Sequence, residues 1–248
     1  GGGGGGSANA GPDLKEVETE RLLFISPTGE DKLRLLPTPW PADNLPAPTS
    51  SLLSVAPRKG LIAAAGPDAL VIASTEDMRE KLGKNQADGD KVKSYTPQAT
   101  IANPRLSQVA FSSDESCLII SAEQGGGLAV YDTSALTNGG KDPAFQLATE
   151  GQSIRQLLPN PNPSPDTARY CGIVTANGQL LLADLQDRKL VNAASGSAVF
   201  HQNVSCACWS RLGKQIIAGL ADGTAAQIDQ QGNVKGAIPE LSLIHISD

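Results

Sequence analysis

The residues capable of acid–base, nucleophilic or metal chemistry are few, and their spacing assembles no site. Two histidines are present, His201 and His245, and neither has neighbours that form a metal-ligand pattern, so we interpret His201 as an ordinary loop residue. The pair Cys206 and Cys208 could be half of a zinc site, but a structural zinc needs about four ligands and no second pair accompanies it. We therefore predict no catalytic residue, no metal site and no cofactor.

The two neighbouring cysteines are interpreted as structural. Alternation along a strand places the thiols of Cys206 and Cys208 on one face, and we predict that they are buried core thiols. The chain contains four cysteines, a number that fits buried thiols of a reducing compartment better than a disulfide framework.

Glycine-containing segments that could suggest phosphate binding are interpreted as tight turns. The run at 125–127 is not followed by the Lys-Ser/Thr pair of a phosphate loop, and no helix begins there. Asn177-Gly178 and Asp222-Gly223 are turn pairs in which glycine accepts a positive φ. We expect Asp222 to have a structural role and no catalytic one.

Basic residues occupy two equivalent turns, at Arg58-Lys59 and at Arg211 with Lys214. The simpler interpretation is that these are solvated charges on turns. The alternative is that one face of the molecule presents them to an acidic partner surface.

A repeated pattern of short strands organises the chain. Residues 205–229 contain three short strands separated by turns, and the same order occurs at 51–74, at 108–132 and at 154–158 with 170–184. The first strands centre near Leu53, Ala110, Gln156 and Ala207, giving steps of 57, 46 and 51 residues. This is close to the period of WD or kelch β-propeller blades, about 40–50 residues. In two of the repeats the third strand ends in an aspartate, Asp132 or Asp184, at the position where a WD repeat has Trp-Asp. We predict an all-β protein, a WD40-like β-propeller with degenerate repeats.

Composition excludes several classes of function. The formal net charge of −6 argues against a nucleic-acid surface, and no run of 18 apolar residues suggests a transmembrane helix. The N-terminal sequence does not have the pattern of a secretory signal. We expect a soluble intracellular protein that binds no nucleic acid directly, no membrane and no small molecule.

The sequence divides into three parts: a disordered Gly-rich head at 1–19, a partial β-propeller at 20–240 and a tail of doubtful origin at 241–248. Short strands at 20–25 and 32–36 are candidates to close the ring by pairing with the last blade. A proline-rich connector follows at 37–48, with Trp40 as its one large anchor. Residues 75–89 are predicted to be a polar surface helix, 133–142 a loop, and 189–202 and 230–240 links between blades.

Three segments carry a resemblance to a known family. Residues 49–75, 109–132 and 205–228 resemble the N-terminal β-propeller of the large FG-repeat nucleoporin of the cytoplasmic face of the nuclear pore. The most specific pieces are SSLLSV followed by KGLI, and CWS followed by GKQ and a Gly-Thr turn. The similarity runs in co-linear order from about residue 21 to residue 240.

The resemblance implies a fold and a function. The family propeller has seven blades, of which this chain holds about four. It implies a nuclear location at the pore and, as partners, other nuclear pore proteins and the DEAD-box RNA helicase of messenger RNA export. The propeller would be a docking platform for that helicase, and docking and RNA binding would exclude each other. No contact residue is carried over from the family.

Two alternatives stand beside the resemblance. The repeats alone equally predict a generic WD-like propeller scaffold in another intracellular complex. A propeller enzyme would need converging histidines or acids at the channel mouth, and the scarcity of histidine argues against it. Because four blades leave two exposed edges, we expect this chain in isolation to be poorly stable or oligomeric.

Overall fold

The computed structural model describes residues 32–83 and 92–238, and strands dominate both ranges. Within these ranges three helices accompany the strands: α1 at Thr75–Gly83, α2 at Thr133–Thr137 and α3 at Pro165–Ala168. The strands in chain order are β1 Lys32–Arg34, β2 Leu53–Ala56, β3 Leu61–Ala65, β4 Ala69–Ser74, β5 Val92–Ser94, β6 Ala99–Ala102, β7 Leu106–Phe111, β8 Cys117–Ala122, β9 Leu128–Asp132, β10 Phe145–Leu147, β11 Ile154–Pro159, β12 Tyr170–Thr175, β13 Leu180–Asp184, β14 Lys189–Leu190, β15 Val204–Trp209, β16 Gln215–Leu220, β17 Ala225–Asp229 and β18 Val234–Ile238.

Sixteen of the described strands form four antiparallel sheets of four strands each, and β1 and β5 form a separate pair. Blade 1 is β2-β3-β4-β6, blade 2 is β7 to β10, blade 3 is β11 to β14 and blade 4 is β15 to β18. The first strands of successive blades are in contact, and Ser51 bridges Gln108 in parallel. The first strands therefore run in one direction around a shared axis, which confirms the propeller fold.

Successive blades pack face to face, and this explains why their middle strands contain consecutive apolar residues. In β8, Leu118 and Ile120 belong to the core shared with blade 1, whereas Ile119 between them belongs to the core shared with blade 3. Likewise, in β12, Ile173 faces blade 2 and Val174 faces blade 4. A strand buried on both faces loses the alternation of a half-exposed strand.

The face of blade 1 that points away from blade 2 is covered by the N-terminal segment. Leu33, Leu35 and Tyr95 pack there against buried Ile62 and Ala73. β1 pairs in parallel with β5. The prediction that 32–36 closes the ring by pairing with the last blade is therefore wrong in this structure, because Leu33 and Leu35 cover blade 1.

The helix predicted at 75–89 is observed as α1, and it is less of a surface feature than expected. Ser74 caps its start, since Ser74 Oγ accepts the N–H of Asp77 at 3.3 Å. Met78 is fully buried against blade 1. At the other end Lys93 Nζ donates to the carbonyl of Lys81 at 3.3 Å, a favourable charge at a helix C-terminus.

Three segments interpreted as loops or links contain regular structure. The loop at 133–142 begins with α2, which Asp132 caps by accepting the N–H of Ser134 at 2.9 Å. The links at 189–202 and 230–240 contain β14 and β18, the fourth strands of blades 3 and 4. Their sequences are polar or glycine-containing, so pairing with the preceding strand, rather than local propensity, makes them strands.

The proline-rich connector at 37–48 contains no helix or strand, as expected. Trp40 is its anchor, because the Arg105 guanidinium lies 4.8 Å from the ring centroid. Arg105 also donates to the carbonyls of Asn44 at 3.0 Å and Leu45 at 2.8 Å. The head at 1–19, the strand predicted at 20–25, the end of the helix predicted at 75–89 and the tail at 241–248 lie outside the described residues.

Candidate interaction surfaces

The histidine and metal-ligand candidates do not converge. His201 is half-buried in the connection that leads to β15, and its Nδ1 lies 2.8 Å from the carbonyl oxygen of Gln202. Within residues 32–83 and 92–238, no three His, Cys, Asp or Glu side chains are grouped to hold a metal ion. His245 lies outside the described residues.

The cysteine pair is placed differently from the prediction. Cys206 and Cys208 do share one face of β15, but both are exposed, so the expectation of buried core thiols is wrong. The opposite face of blade 4 packs on blade 3 through Ala207 and Ile216. The thiols point to the other face, where no described residue covers them. The buried thiol is instead Cys171, and burial raises its pKa to about 12.

The glycine turns are confirmed as hairpin connections. Residues 125–127 join β8 to β9, and Gly125 and Gly127 have φ values of 90° and 127°. Asp222 accepts hydrogen bonds from the hydroxyl and the N–H of Thr224 at 2.6 Å and 2.9 Å. These bonds lower the pKa of Asp222 and fix the turn between β16 and β17.

The basic turns lie at one end of the propeller, which we call the turn end because it carries the connection from the first to the second strand of each blade. Arg58 and Lys59 lie in that connection of blade 1, and Arg211 and Lys214 in that of blade 4. Arg58 and Arg211 are both exposed. The four cations therefore share one end of the molecule, as the alternative interpretation requires, but they belong to blades that are not adjacent.

Glu115, an acidic residue that the sequence gives no reason to select, joins the turns of blades 1 and 2 at the turn end. Glu115 is in the connection of blade 2, with only 6% of its side chain exposed. Its carboxylate accepts the backbone N–H of Lys59 at 2.9 Å and that of Arg58 at 3.3 Å. The Arg58 guanidinium lies 3.9 Å away. The local sequence SSDES gives no sign of this contact, because the two turns are brought together only by blade packing.

Two asparagines, Asn160 and Asn162, join the corresponding turns of blades 3 and 4. Asn160 is fully buried, and its Nδ2 donates to the carbonyl of Gly213 at 2.7 Å. Asn162 Nδ2 donates to the carbonyl of Leu212 at 2.9 Å. Turn-to-turn hydrogen bonds thus fix the angle between blades at the turn end.

Two of the aspartates that end third strands, Asp132 and Asp184, have separate roles. Asp132 caps α2, whereas Asp184 forms a forked pair with Arg169, with distances of 3.1 Å and 2.7 Å. Burial disfavours the charged form of Asp184. The hydrogen bonds from Arg169 and from the N–H groups of Asp187 and Gln186 outweigh burial, so the pKa of Asp184 lies below its ordinary value.

The opposite end of the propeller, where each first strand begins, is called the entry end. A cavity of about 410 Å³ lies there against the first strands. Its walls include Thr49, Gln108, Arg155 and Ser205. Gln108 Nε2 donates to the carbonyls of Thr49 at 3.0 Å and Arg155 at 3.1 Å, which links three consecutive blades. Gln156 repeats the pattern by donating to the carbonyl of Ala207 at 3.3 Å.

The described helices include none that is both long and apolar enough to cross a membrane.

The architecture defines the chain as a β-propeller. Four antiparallel four-stranded sheets pack face to face around a common axis, and polar turns and first-strand side chains join them. Solved propellers share this fold at low identity: a complex of S. cerevisiae Dbp5 bound to Nup159, Gle1, IP6 and ADP matches with a TM-score of 0.58 and 16% identity, over 84% of this chain and 48% of that one.

The chain belongs to the NUP159/214 β-propeller family, whose model matches residues 46–245. It is 46% identical to nucleoporin NUP159 of Chaetomium thermophilum over 250 residues, which cover 99% of this chain and 16% of that protein. Human Nup214 is 27% identical over 84% of this chain and 10% of that protein. The chain thus spans less than a fifth of the length of these relatives.

The family determines two further points. Its members are nucleoporins, so the resemblance noted from the sequence is confirmed and the chain is placed among proteins of the nuclear pore complex. The family is a propeller scaffold and not an enzyme family.

Proposed function

We propose that this propeller is a docking platform for a DEAD-box RNA helicase of the Dbp5 type, acting in messenger RNA export at the cytoplasmic face of the nuclear pore. The observation that carries the proposal is the 46% identity to a NUP159 over almost the whole chain. A propeller called Nup159 occurs in a solved complex with Dbp5. Other nuclear pore proteins are proposed as further partners.

The geometry supports a role in protein docking. A propeller with rigidly joined blades presents fixed turns at its two ends, and binding residues are commonly carried by loops on such a scaffold. At the turn end, the hydrogen bond that Glu115 accepts joins the turns of blades 1 and 2, and the one that Asn160 donates joins blades 3 and 4. A generic WD-like scaffold in another complex would share only the fold, and the identity to NUP159 favours the pore.

Isothermal titration calorimetry of the chain with a Dbp5-type helicase tests the proposal. We expect saturable one-to-one binding to the isolated ATPase lobe that carries the RNA-binding surface. A DEAD-box helicase from an unrelated pathway serves as the negative control. Equal binding to both helicases, or heat changes indistinguishable from dilution, would reject helicase docking for this chain.

A competition experiment tests the expected mode of docking. We expect that a single-stranded RNA bound to the helicase with a non-hydrolysable ATP analogue displaces the propeller. A stable ternary complex of propeller, helicase and RNA on a sizing column would contradict a shared surface on the helicase. It would leave the binary interaction measured by calorimetry intact, so the two claims are separable.

A further inference from the structure

The first strands of blades 2, 3 and 4 each contain a β-bulge at the same place. The register shifts between Leu106 and Gln108, between Ile154 and Gln156, and between Val204 and Cys206. A bulge inserts one unpaired residue and re-aims its side chain. The inserted residues at these equivalent positions are Ser107, Arg155 and Ser205.

Serine is sufficient for the geometry of this bulge. Ser205 Oγ donates to the carbonyl of Gly219 at 3.0 Å, within its own blade. Ser107 Oγ lies 3.5 Å from the carbonyl oxygens of Ser121 and Ile154. Two of the three blades therefore fold with a small hydroxyl at this position, whereas blade 3 has an arginine that adds a positive charge there.

The Arg155 guanidinium is held in a fixed place. Its Nη2 donates to the carbonyls of Val204 at 2.8 Å and Ser205 at 2.9 Å. The salt bridges among the described residues involve other arginines, so no carboxylate of residues 32–83 and 92–238 neutralises Arg155. Nε and Nη1 make no hydrogen bond within the same residues, and their N–H groups remain available to a ligand.

The cavity beside Arg155 has the character of an anion site. Its volume is about 410 Å³, and Arg155 supplies the one charged side chain of its lining. The other walls carry hydroxyl groups, amides and a single leucine, with no carboxylate. A fixed cation with free donors in a partly enclosed cavity favours a negatively charged group, because a charge-assisted hydrogen bond is stronger than a neutral one.

We propose that the entry end of the propeller binds an acidic side chain of a peptide, with Arg155 as the residue that receives the carboxylate. A protein ligand is favoured over a polynucleotide because a nucleic-acid site neutralises many phosphates with clustered cations. This cavity has one cation, and the whole chain carries a net charge of −6. The proposal is independent of helicase docking.

Fluorescence anisotropy on the whole chain tests the site with defined probes. The ligand probe is a labelled peptide with three glutamates between glycines, and the matched control peptide has three glutamines. We expect the acidic peptide to bind about tenfold or more tightly than the neutral one, a difference in which each factor of ten corresponds to about 1.4 kcal/mol. Added salt should weaken binding.

Matched variants assign the binding to Arg155. Arg155→Ser introduces the residue used by blades 2 and 4, and Arg155→Gln keeps a donor for the carbonyls of blade 4 without the charge. Both variants should weaken binding of the acidic peptide about tenfold. Arg211→Ser removes an exposed cation from the turn end and should leave the affinity unchanged. Circular dichroism verifies that each variant is folded.

Several outcomes would overturn the proposal. These are wild-type affinity in Arg155→Gln, an equal loss in Arg211→Ser, and binding of a ten-nucleotide RNA that displaces the peptide. If both Arg155 variants fail to fold, photo-crosslinking of the peptide to the unmodified chain decides: adducts on the first strands of blades 2 to 4 support the site, and adducts elsewhere reject it. No probe contains the helicase, so failure here is distinguishable from failure of helicase docking.

Discussion

The Glu115 carboxylate of blade 2 accepts the backbone N–H of Lys59 of blade 1 at 2.9 Å, across a separation of 56 residues in the chain. Glu115 has a φ of 63°, a left-handed conformation that is uncommon for glutamate. The residue is therefore held in a costly backbone conformation at the place where its side chain joins two blades. This contact adds a hydrogen bond between turns to the apolar packing that joins blades 1 and 2.

Removal of this carboxylate should destabilise the propeller. We expect Glu115→Ala to lower the free energy of unfolding by about 1–3 kcal/mol, because the part-buried N–H groups of Arg58 and Lys59 lose a charged acceptor. Glu150→Ala is the control, since Glu150 also has a left-handed φ, of 54°, but is exposed. That variant should change stability by less than about 0.5 kcal/mol. Urea unfolding measures both, and equal effects would show that the contact with Lys59 contributes nothing.

Replacing Gly213 with alanine should destabilise the propeller more than the same change at Gly223, which has a similar φ. Gly213 and Gly223 have φ values of +75° and +86°, but a Cβ on Gly213 would overlap Oδ1 of buried Asn160, whereas one on Gly223 would meet nothing within 4 Å. Gly223→Ala should cost about 1–2 kcal/mol for its left-handed conformation. Gly213→Ala should cost about 1–3 kcal/mol more, because Asn160 must move. Similar thermal midpoints for the two variants would contradict this packing.

The ion pair of Asp184 and Arg169 should make the free energy of unfolding depend on pH in the acidic range. The folded pKa of Asp184 lies below its ordinary value. Its contribution to stability is therefore complete above the unfolded pKa, about 3.9, and is lost as the pH falls through the folded pKa. We expect Asp184→Asn to be less stable than the wild type at pH 7 by about 2 kcal/mol.

This prediction is tested by measuring the urea midpoints of the wild type and Asp184→Asn from pH 7 to strongly acidic pH. The difference between wild type and Asp184→Asn should shrink as the pH falls. Asp166→Asn is a suitable control, because Asp166 is exposed in α3. A difference that stays constant across the acid range would show that the charge of Asp184 does not stabilise the fold.

The cysteines should differ sharply in their reactivity. Alkylation requires a thiolate that the reagent can reach. Cys171 is 0% exposed and has a pKa of about 12, whereas Cys206 and Cys208 are exposed. Treatment of the native chain with iodoacetamide, followed by mass spectrometry, should label Cys206 or Cys208 long before Cys171. Labelling after denaturation should reach all of them.

Protection of both Cys206 and Cys208 in the native chain would mean that the open face of blade 4 is covered in solution. Measurement of the oligomeric state would then show whether a second copy covers it. The same measurement tests the expectation that the isolated chain is poorly stable or oligomeric. A monodisperse monomer with a sharp unfolding transition would contradict that expectation.

The blades themselves could be predicted because their signal is local. Short apolar runs separated by Gly-containing turns, repeated at 46 to 57 residues, mark the first three strands of each blade. Turn pairs such as Asn177-Gly178 lie where expected because a hairpin turn depends mainly on the φ values its own residues can adopt. The fourth strands β14 and β18 were missed because they owe their conformation to pairing and not to composition.

The site could not be predicted in the same way. A cysteine in a strand is exposed or buried according to which blade covers that face, and the pattern of alternation is identical in both cases. In the sequence, nothing distinguishes Arg155 from other polar residues of strands. Only the strand register shows that it occupies the same bulge position as Ser107 and Ser205. Its role depends on carbonyls of Val204 and Ser205, about 50 residues further along the chain.

The sequence alone determined the fold class and the order of the blades, because strand propensity, turn chemistry and repeat spacing are properties of short segments. The nucleoporin family came from the resemblance of residues 49–75, 109–132 and 205–228 to that family. Tertiary structure decided which polar residues are buried between blades, which face of blade 1 the N-terminal segment covers, and where Arg155 meets a cavity. These features depend on contacts between residues about 50 positions apart, and such contacts exist only when the blades pack around their common axis.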